Sequence, residues 1–446
     1  MSAPTGRIGA RVKRGDDPRL LTGRGRYVDD LSLPRMVHAA FVRSPHAHAR
    51  LVHVDLERAG RAPGVVGVLA GDAVAKLCKP YRGVLLHYKG MKTGAMLPLA
   101  IGRVRCVGEP IVAIAAESRA AADDAAALID IEYEPIPAVL SATEALADGA
   151  PVIHPELGDN VLYETRITTG DVGRAFAGAA RVWERTFTTG RHTGVPLEPR
   201  SLLADYEPAT RSLTVWISTQ VPHMMQAVLA ELFALREPRV RVVAPDVGGS
   251  FGIKIHVYQD DMAACALAVT LGRPVKWVAS RRESFVSDIH AREQTIRVEL
   301  AADDAGVLTA MRASITAAVG PYSAYPRSSV VEGGQVLRLL PGPYRVRSYD
   351  ARAARGGTEQ GRHLAIPRCR ASDRHRGDRE HDRPGRARPR DRSGGGTAPK
   401  PDSPGGSSLH DRRRKRPRQR QLSRSARAAA RGRRLRPATP GSAGRA

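Results

Sequence analysis

Asp246-Val247-Gly248-Gly249-Ser250-Phe251-Gly252-Ile253-Lys254 follows directly on a short run, VRVV at 240–243, that reads as a strand. Glycines let the backbone turn with positive φ and let amide groups approach a ligand oxygen closely. An anion or an oxo ligand is therefore the natural guest of such a loop. The spacing excludes two nucleotide-binding loops: GxGxxG fails, and no GK[ST] follows. Taken alone, the stretch is better read as a tight structural turn.

Upstream, the apolar residues of 220–235 recur at three and four, as in an amphipathic helix. Gln220 stands at its start, where a side-chain amide can donate to a bound oxygen or simply face water. His223 has no second His at helical spacing, so a core or surface role is favoured over metal ligation. Glu198 and Arg292 are charged residues between apolar segments, each readable as an ion-pair partner. Segments 203–206 and 213–217 form an expected hairpin. A helix over 260–271 is stopped by Gly272, and a strand follows at 274–278. Segments 294–300 and 308–318 make another strand pair, and Asp171 can cap a helix running to 180, before a strand at 182–189.

Toward the N-terminus, 36–42 and 64–69 read as strands. The apolar run 109–116 ends at Glu117-Ser118, and Ser118 can cap the Ala-rich helix that follows. A strand returns at 131–133. These elements make a small α+β unit, and Pro135, Pro137 and the Gly158-Asp159-Asn160 stretch mark an irregular connector to the next.

The charge is uneven. The chain has 446 residues and a formal net charge of +25, but residues 355–446 hold 27 Lys+Arg against 8 Asp+Glu and contain no Phe, Trp or Tyr. Such a segment cannot bury enough apolar surface to offset the entropy of ordering it. Residues up to about 354 are expected to be globular, and 355–446 a disordered basic tail or a stretch read out of frame. Cys78, Cys106, Cys265 and Cys369 show no CxxC spacing, which argues against an iron–sulfur or zinc motif and for a reducing, cytoplasmic setting. The N-terminus lacks an apolar signal region, and no apolar run is long enough to span a bilayer.

The ensemble decides the family. Gly25-Arg26-Tyr27-Val28-Asp29-Asp30, Arg43-Ser44-Pro45-His46-Ala47-His48, Val107-Gly108-Glu109-Pro110 and Ile131-Glu132-Tyr133-Glu134-Pro135 occur in that order. Pro196-Leu197-Glu198, Ser218-Thr219-Gln220-Val221-Pro222-His223, the glycine loop and Gly272-Arg273-Pro274 follow. This order resembles the molybdopterin-binding large subunit of the xanthine dehydrogenase and aerobic carbon monoxide dehydrogenase family, over about residues 7–354. The resemblance implies an α+β architecture. A hammerhead α/β domain at 18–130 would precede the first part of a molybdopterin-binding domain at 150–354.

It further implies molybdopterin cytosine dinucleotide as cofactor, with the metal held by the pterin dithiolene. Iron–sulfur and FAD groups would sit on a small and a medium partner subunit. The implied activity is hydroxylation of a heterocycle or aldehyde with oxygen from water, or oxidation of CO. Gln220, Gly248, Gly249, Ser250, Phe251 and Gly252 match the cofactor-facing positions, and Ser250 stands where many members carry a third glycine. The general-base glutamate belongs to a downstream part of the family fold, so no catalytic residue is assigned. The chain would then be inactive alone.

After residue 351 the family pattern stops. Codon degeneracy lets the segment 363–380 be encoded so that the next frame reads Ile-Ser-Arg-Tyr-Arg-Gly-Val-Gly-His-Pro, which is the expected motif, and 393–405 permits a second family-like stretch. A frame break near 352–362 is the expectation. The rival reading makes the tail, with its 411–420 basic run, a nucleic-acid-binding segment, although it lacks aromatic residues for stacking.

Overall fold

The computed structural model describes residues 12–83, 88–325 and 329–360. The tail beyond residue 360, with both readings of it, lies outside the described residues.

The first six strands are β1 (Val37–Arg43), β2 (Ala49–Asp55), β3 (Val65–Ala70), β4 (Arg103–Val104), β5 (Pro110–Ala116) and β6 (Asp130–Pro135). Every residue of β5 is buried, because β1 and β3 flank it while the helices Arg119–Ala126 and Gln259–Leu271 pack against it. That is why its sequence is an unbroken apolar run, not an alternation. Ser118 caps the first of these helices, its hydroxyl accepting the Ala121 amide at 3.1 Å.

Nine more strands follow: β7 (Val161–Thr169), β8 (Arg181–Thr189), β9 (Ser201–Glu207), β10 (Ser212–Ile217), β11 (Val240–Val243), β12 (Val275–Val278), β13 (Gln294–Ala302), β14 (Leu308–Gly320) and β15 (Ser348–Gly357). They complete three sheets. The first is seven-stranded, in the order β11-β10-β9-β12-β1-β5-β3, the second is β7-β15-β14-β13-β8, and the third is β4-β2-β6. The seven-stranded sheet joins the two expected units, since β1 pairs in parallel with β12 through Val37 and Val275. β15 runs past residue 354 to Gly357, and its inward positions Tyr349, Ala351 and Ala353 are followed by a fully buried Arg355.

The helix expected over 220–235 is shorter, Pro222–Leu232. Pro222 fits only the first turn, where its missing N–H costs nothing. Beyond Leu232 the chain leaves the helix, and Ala234 adopts φ +51°. Gln220 therefore lies in the approach to the helix, outside its first turn. The helix Gln259–Leu271 ends at Gly272 with φ +56°, as expected from the glycine.

Topology gathers the candidate residues. β9 runs antiparallel to β10, and β10 parallel to β11. The start of β9 and the ends of β10 and β11 therefore share one edge. Glu198 leads into β9, Ser218 to Gln220 leave β10, and the glycine loop leaves β11.

Candidate functional site

Glu198 is the hub of that edge. Its Oε2 accepts from Ser218 Oγ at 2.7 Å, from the Gly248 amide at 2.7 Å and from Lys254 Nζ at 2.6 Å. Its amide donates to the Gly248 carbonyl at 3.1 Å. Oε1 is buried and has no partner in the protein. The Lys254 side chain is wholly buried. Burial pushes its pKa below the ordinary lysine value, and Glu198 opposes that shift. Glu198 is thus an ion-pair partner, as one reading of the sequence had it. No local pattern marks Lys254 of the glycine loop as its partner.

The loop needs its glycines for definite reasons. A Cβ on Gly248 would lie 2.6 Å from Glu198 Cβ. Gly249 and Gly252 both take φ +95°, and Phe251 takes φ +51° between them, a costly region for an aromatic residue. The Gly248 amide is committed to Glu198. Among the described residues, the amides of Gly249, Ser250, Phe251 and Gly252 donate to no protein acceptor. The expected anion-facing loop is therefore half internal: its first amide holds a carboxylate of the protein, and the next four remain available.

The anchoring at both ends is tight. Asp246 accepts from Arg19 Nη2 at 2.6 Å and from the Arg26 amide at 2.7 Å, and Arg19 holds its carboxyl well below the usual range. Arg281 Nη2 donates to the carbonyls of Pro196 and Leu197 at 2.9 and 2.8 Å, fixing the segment that carries Glu198. At the far end, Tyr258 donates its hydroxyl to the Ile253 carbonyl at 2.8 Å. Arg200 stacks on the Tyr258 ring with its guanidinium carbon 3.6 Å from the centroid. It pairs with Asp260 at 2.6 Å and Asp288 at 2.6 Å. Burial raises the Asp261 carboxyl to about 7. Two adjacent aspartates opening an otherwise apolar helix were the available sequence signal for this network.

Gln220 joins the loop from the other strand. Its amide N–H and the Thr219 hydroxyl both donate to the Lys254 carbonyl, at 2.9 and 3.1 Å. Its side-chain Oε1 accepts from the Ser250 hydroxyl. The structure thus brings Gln220 together with Gly248, Gly249, Ser250, Phe251 and Gly252. It does not bring in the others. His223 is exposed. Arg292 is held by the Glu332 carboxylate, which accepts its amide at 2.9 Å, and by the Thr189 hydroxyl, which donates to its carbonyl.

The donor set suits an oxygen-rich guest held by something other than protein ligands. Among the described residues no group of three or more His, Cys, Asp or Glu side chains could hold a metal ion. Cys78, Cys106 and Cys265 are buried, and no helix among the described residues is long and apolar enough to cross a membrane.

Residues 153–363 match the model of the molybdopterin cofactor-binding domain, and residues 22–137 that of the aldehyde oxidase and xanthine dehydrogenase a/b hammerhead domain. The chain belongs to the molybdopterin-binding large-subunit family of xanthine dehydrogenase and aerobic carbon monoxide dehydrogenase. That family is one of molybdopterin-dependent oxidoreductases. The nicotine 6-hydroxylase large subunit of Paenarthrobacter nicotinovorans is 39% identical over 336 residues, 75% of this chain and 41% of that protein. The carbon monoxide dehydrogenase large chain of Afipia carboxidovorans is 33% identical, across 76% of this chain and 42% of its own length. Quinoline 2-oxidoreductase from Pseudomonas putida 86 superposes with a TM-score of 0.77 at 36% identity, covering 80% of this chain and 45% of that one. The chain thus spans less than half the length of these relatives. The mixed α/β architecture, hammerhead before molybdopterin-binding domain, is that of the family.

Proposed function

We propose that this chain is part of a molybdenum hydroxylase large subunit, an oxidoreductase that hydroxylates a nitrogen heterocycle. The names of the nicotine and quinoline enzymes favour that class over an aldehyde or CO. The carrying observation is the row of four amides, Gly249 to Gly252, without protein acceptors beside the side-chain amide of Gln220. Gln220, Gly248, Gly249, Ser250, Phe251 and Gly252 are the residues assigned to the cofactor, molybdopterin cytosine dinucleotide. Domain boundaries of 18–130 and 150–354 go with this reading. So do a cytoplasmic setting, an iron–sulfur small subunit and an FAD-binding medium subunit.

When bound, the cofactor supplies a water-derived oxygen to the substrate carbon and takes up the electrons. This chain's own residues hold and orient. The loop amides donate toward the oxygens of the guest, and the Gln220 Nε2 hydrogens do the same from the opposite strand. Phe251, 62% exposed, stands at the rim, where its ring shields the guest from water. The Glu198–Lys254 pair keeps the loop at its distance from β10. No general base is assigned to the chain.

Elemental analysis tests the reading. The full-length subunit of which this chain is part, purified from a host that makes the cofactor and co-produces the companion subunits, is expected to carry molybdenum. Gly249→Val, which forbids φ +95° and fills the cradle, is expected to lose it. A full-length wild-type subunit without molybdenum ends the proposal.

A further inference from the structure

The Ser250 hydroxyl has two neighbours. The Lys254 amide donates to Ser250 Oγ at 3.1 Å. The same hydroxyl lies against Gln220 Oε1. A serine hydroxyl has one proton to give. Its oxygen takes the Lys254 N–H on one of two lone pairs, and its proton goes to an acceptor. A carbonyl oxygen is one, and an amide nitrogen, whose hydrogens are both donors, is not. In the structure that acceptor is Gln220 Oε1. Oε1 faces inward, and Nε2 with both hydrogens faces away.

The rest of Gln220 is already held. Its backbone amide donates to the Lys254 carbonyl at 2.9 Å, and the neighbouring Thr219 hydroxyl donates to the same oxygen at 3.1 Å. The remaining freedom is rotation of the side-chain amide, which is exposed enough to turn. We propose that Ser250 is a positioning residue that presets the Gln220 amide as a hydrogen-bond donor toward the guest of the glycine loop. This rests on the cofactor reading above. With glycine at 250, the amide would meet the guest unoriented, and its ordering would be charged against binding.

Glutamine-selective 15N labelling reads the amide directly. The chain has eight glutamines, so its side-chain spectrum is sparse, and Gln220→Leu identifies the signal by its loss. In the wild type the Gln220 side-chain amide is expected to be as ordered as the backbone. Ser250→Ala should make it mobile, and Ser250→Thr, which keeps the hydroxyl, should restore it. Molybdenum per full-length subunit from the cofactor-making host should fall about fivefold to tenfold in Ser250→Ala, the loss of roughly one hydrogen bond, and recover in Ser250→Thr. Ser250→Ala also takes the acceptor from the Lys254 amide, so its thermal midpoint should fall, and the order of the Gln220 amide is the readout that a merely structural role would not move. A loaded wild type whose Gln220 amide is equally ordered in Ser250→Ala overturns the role of Ser250 alone. So does equal molybdenum in both proteins. A wild type that takes up no molybdenum overturns the cofactor reading, and with it the purpose given to Ser250.

Discussion

Glu198 and Lys254 meet at 2.6 Å, joining the segment before β9 to the end of the glycine loop across 56 residues of chain. The carboxylate gives three donors one oxygen and keeps the other buried without a partner. The pair is therefore asymmetric: the lysine depends on the carboxylate more than the reverse.

Glu198→Gln should accordingly destabilise the protein by about 3 kcal/mol, the usual cost of leaving a buried charge without its partner. Lys254→Met should cost less, because Ser218 and Gly248 still serve the carboxylate. The Lys254 pKa is lowered in the fold, so the unfolded chain binds more protons between the folded and ordinary lysine values. Stability of Glu198→Gln should rise with pH as it approaches 10, more steeply than that of the wild type. Urea unfolding from pH 7 to 10 checks this. Equal losses in the two variants would contradict the asymmetry.

Gly248→Ala should separate the loop from Glu198, since the added carbon falls 2.6 Å from Glu198 Cβ. The expected cost is about 1–3 kcal/mol. Limited proteolysis should open at 246–254 before the rest of the chain. A variant with wild-type stability and an intact loop would show that the contact yields.

Arg355 sits fully buried on β15, with its Nε donating to the Val330 carbonyl at 3.1 Å and Nη2 unpartnered. Burial pulls its pKa down to about 10, and no carboxylate pairs with it among the described residues. Arg355→Met should therefore stabilise the protein, by roughly 1–4 kcal/mol, seen as a higher thermal midpoint. A lower midpoint would mean that the guanidinium's bonds to carbonyls outweigh its desolvation. The reading frame is expected to break near 352–362. Sequencing the coding DNA across codons 345–446 examines that directly.

Asp261 is raised to about 7 by burial. The folded state thus keeps a proton that the unfolded chain gives up near pH 4, and this contribution to stability is lost as pH rises from about 4 to 7. Asp261→Asn should flatten that part of the stability profile, measured by chemical denaturation at a series of pH values. An unchanged slope would place the proton elsewhere in the Arg200 network.

Local physics made much of this fold legible. β5 announced itself as a continuous apolar run, and Ser118 and Asp171 marked helix starts that their side chains do cap. The segment 220–235 misled at both ends, because apolar spacing cannot register where Pro222 must begin or where Ala234 turns aside. β7 went unread because it is largely polar and lies at a sheet edge. At the candidate site, the glycine loop and Gln220 were visible as motifs. What couples them was not. Glu198 to Lys254 and Ser250 to Gln220 are contacts across 56 and 30 residues, and only the strand order that places β9, β10 and β11 side by side creates them.

The parallel pairing of β1 with β12 has a practical bearing. Cutting the polypeptide near residue 150 would not release two tidy modules. It would tear a sheet down its middle and leave each fragment with a raw, adhesive border. The halves that sequence comparison distinguishes must be made, purified and inherited as one object.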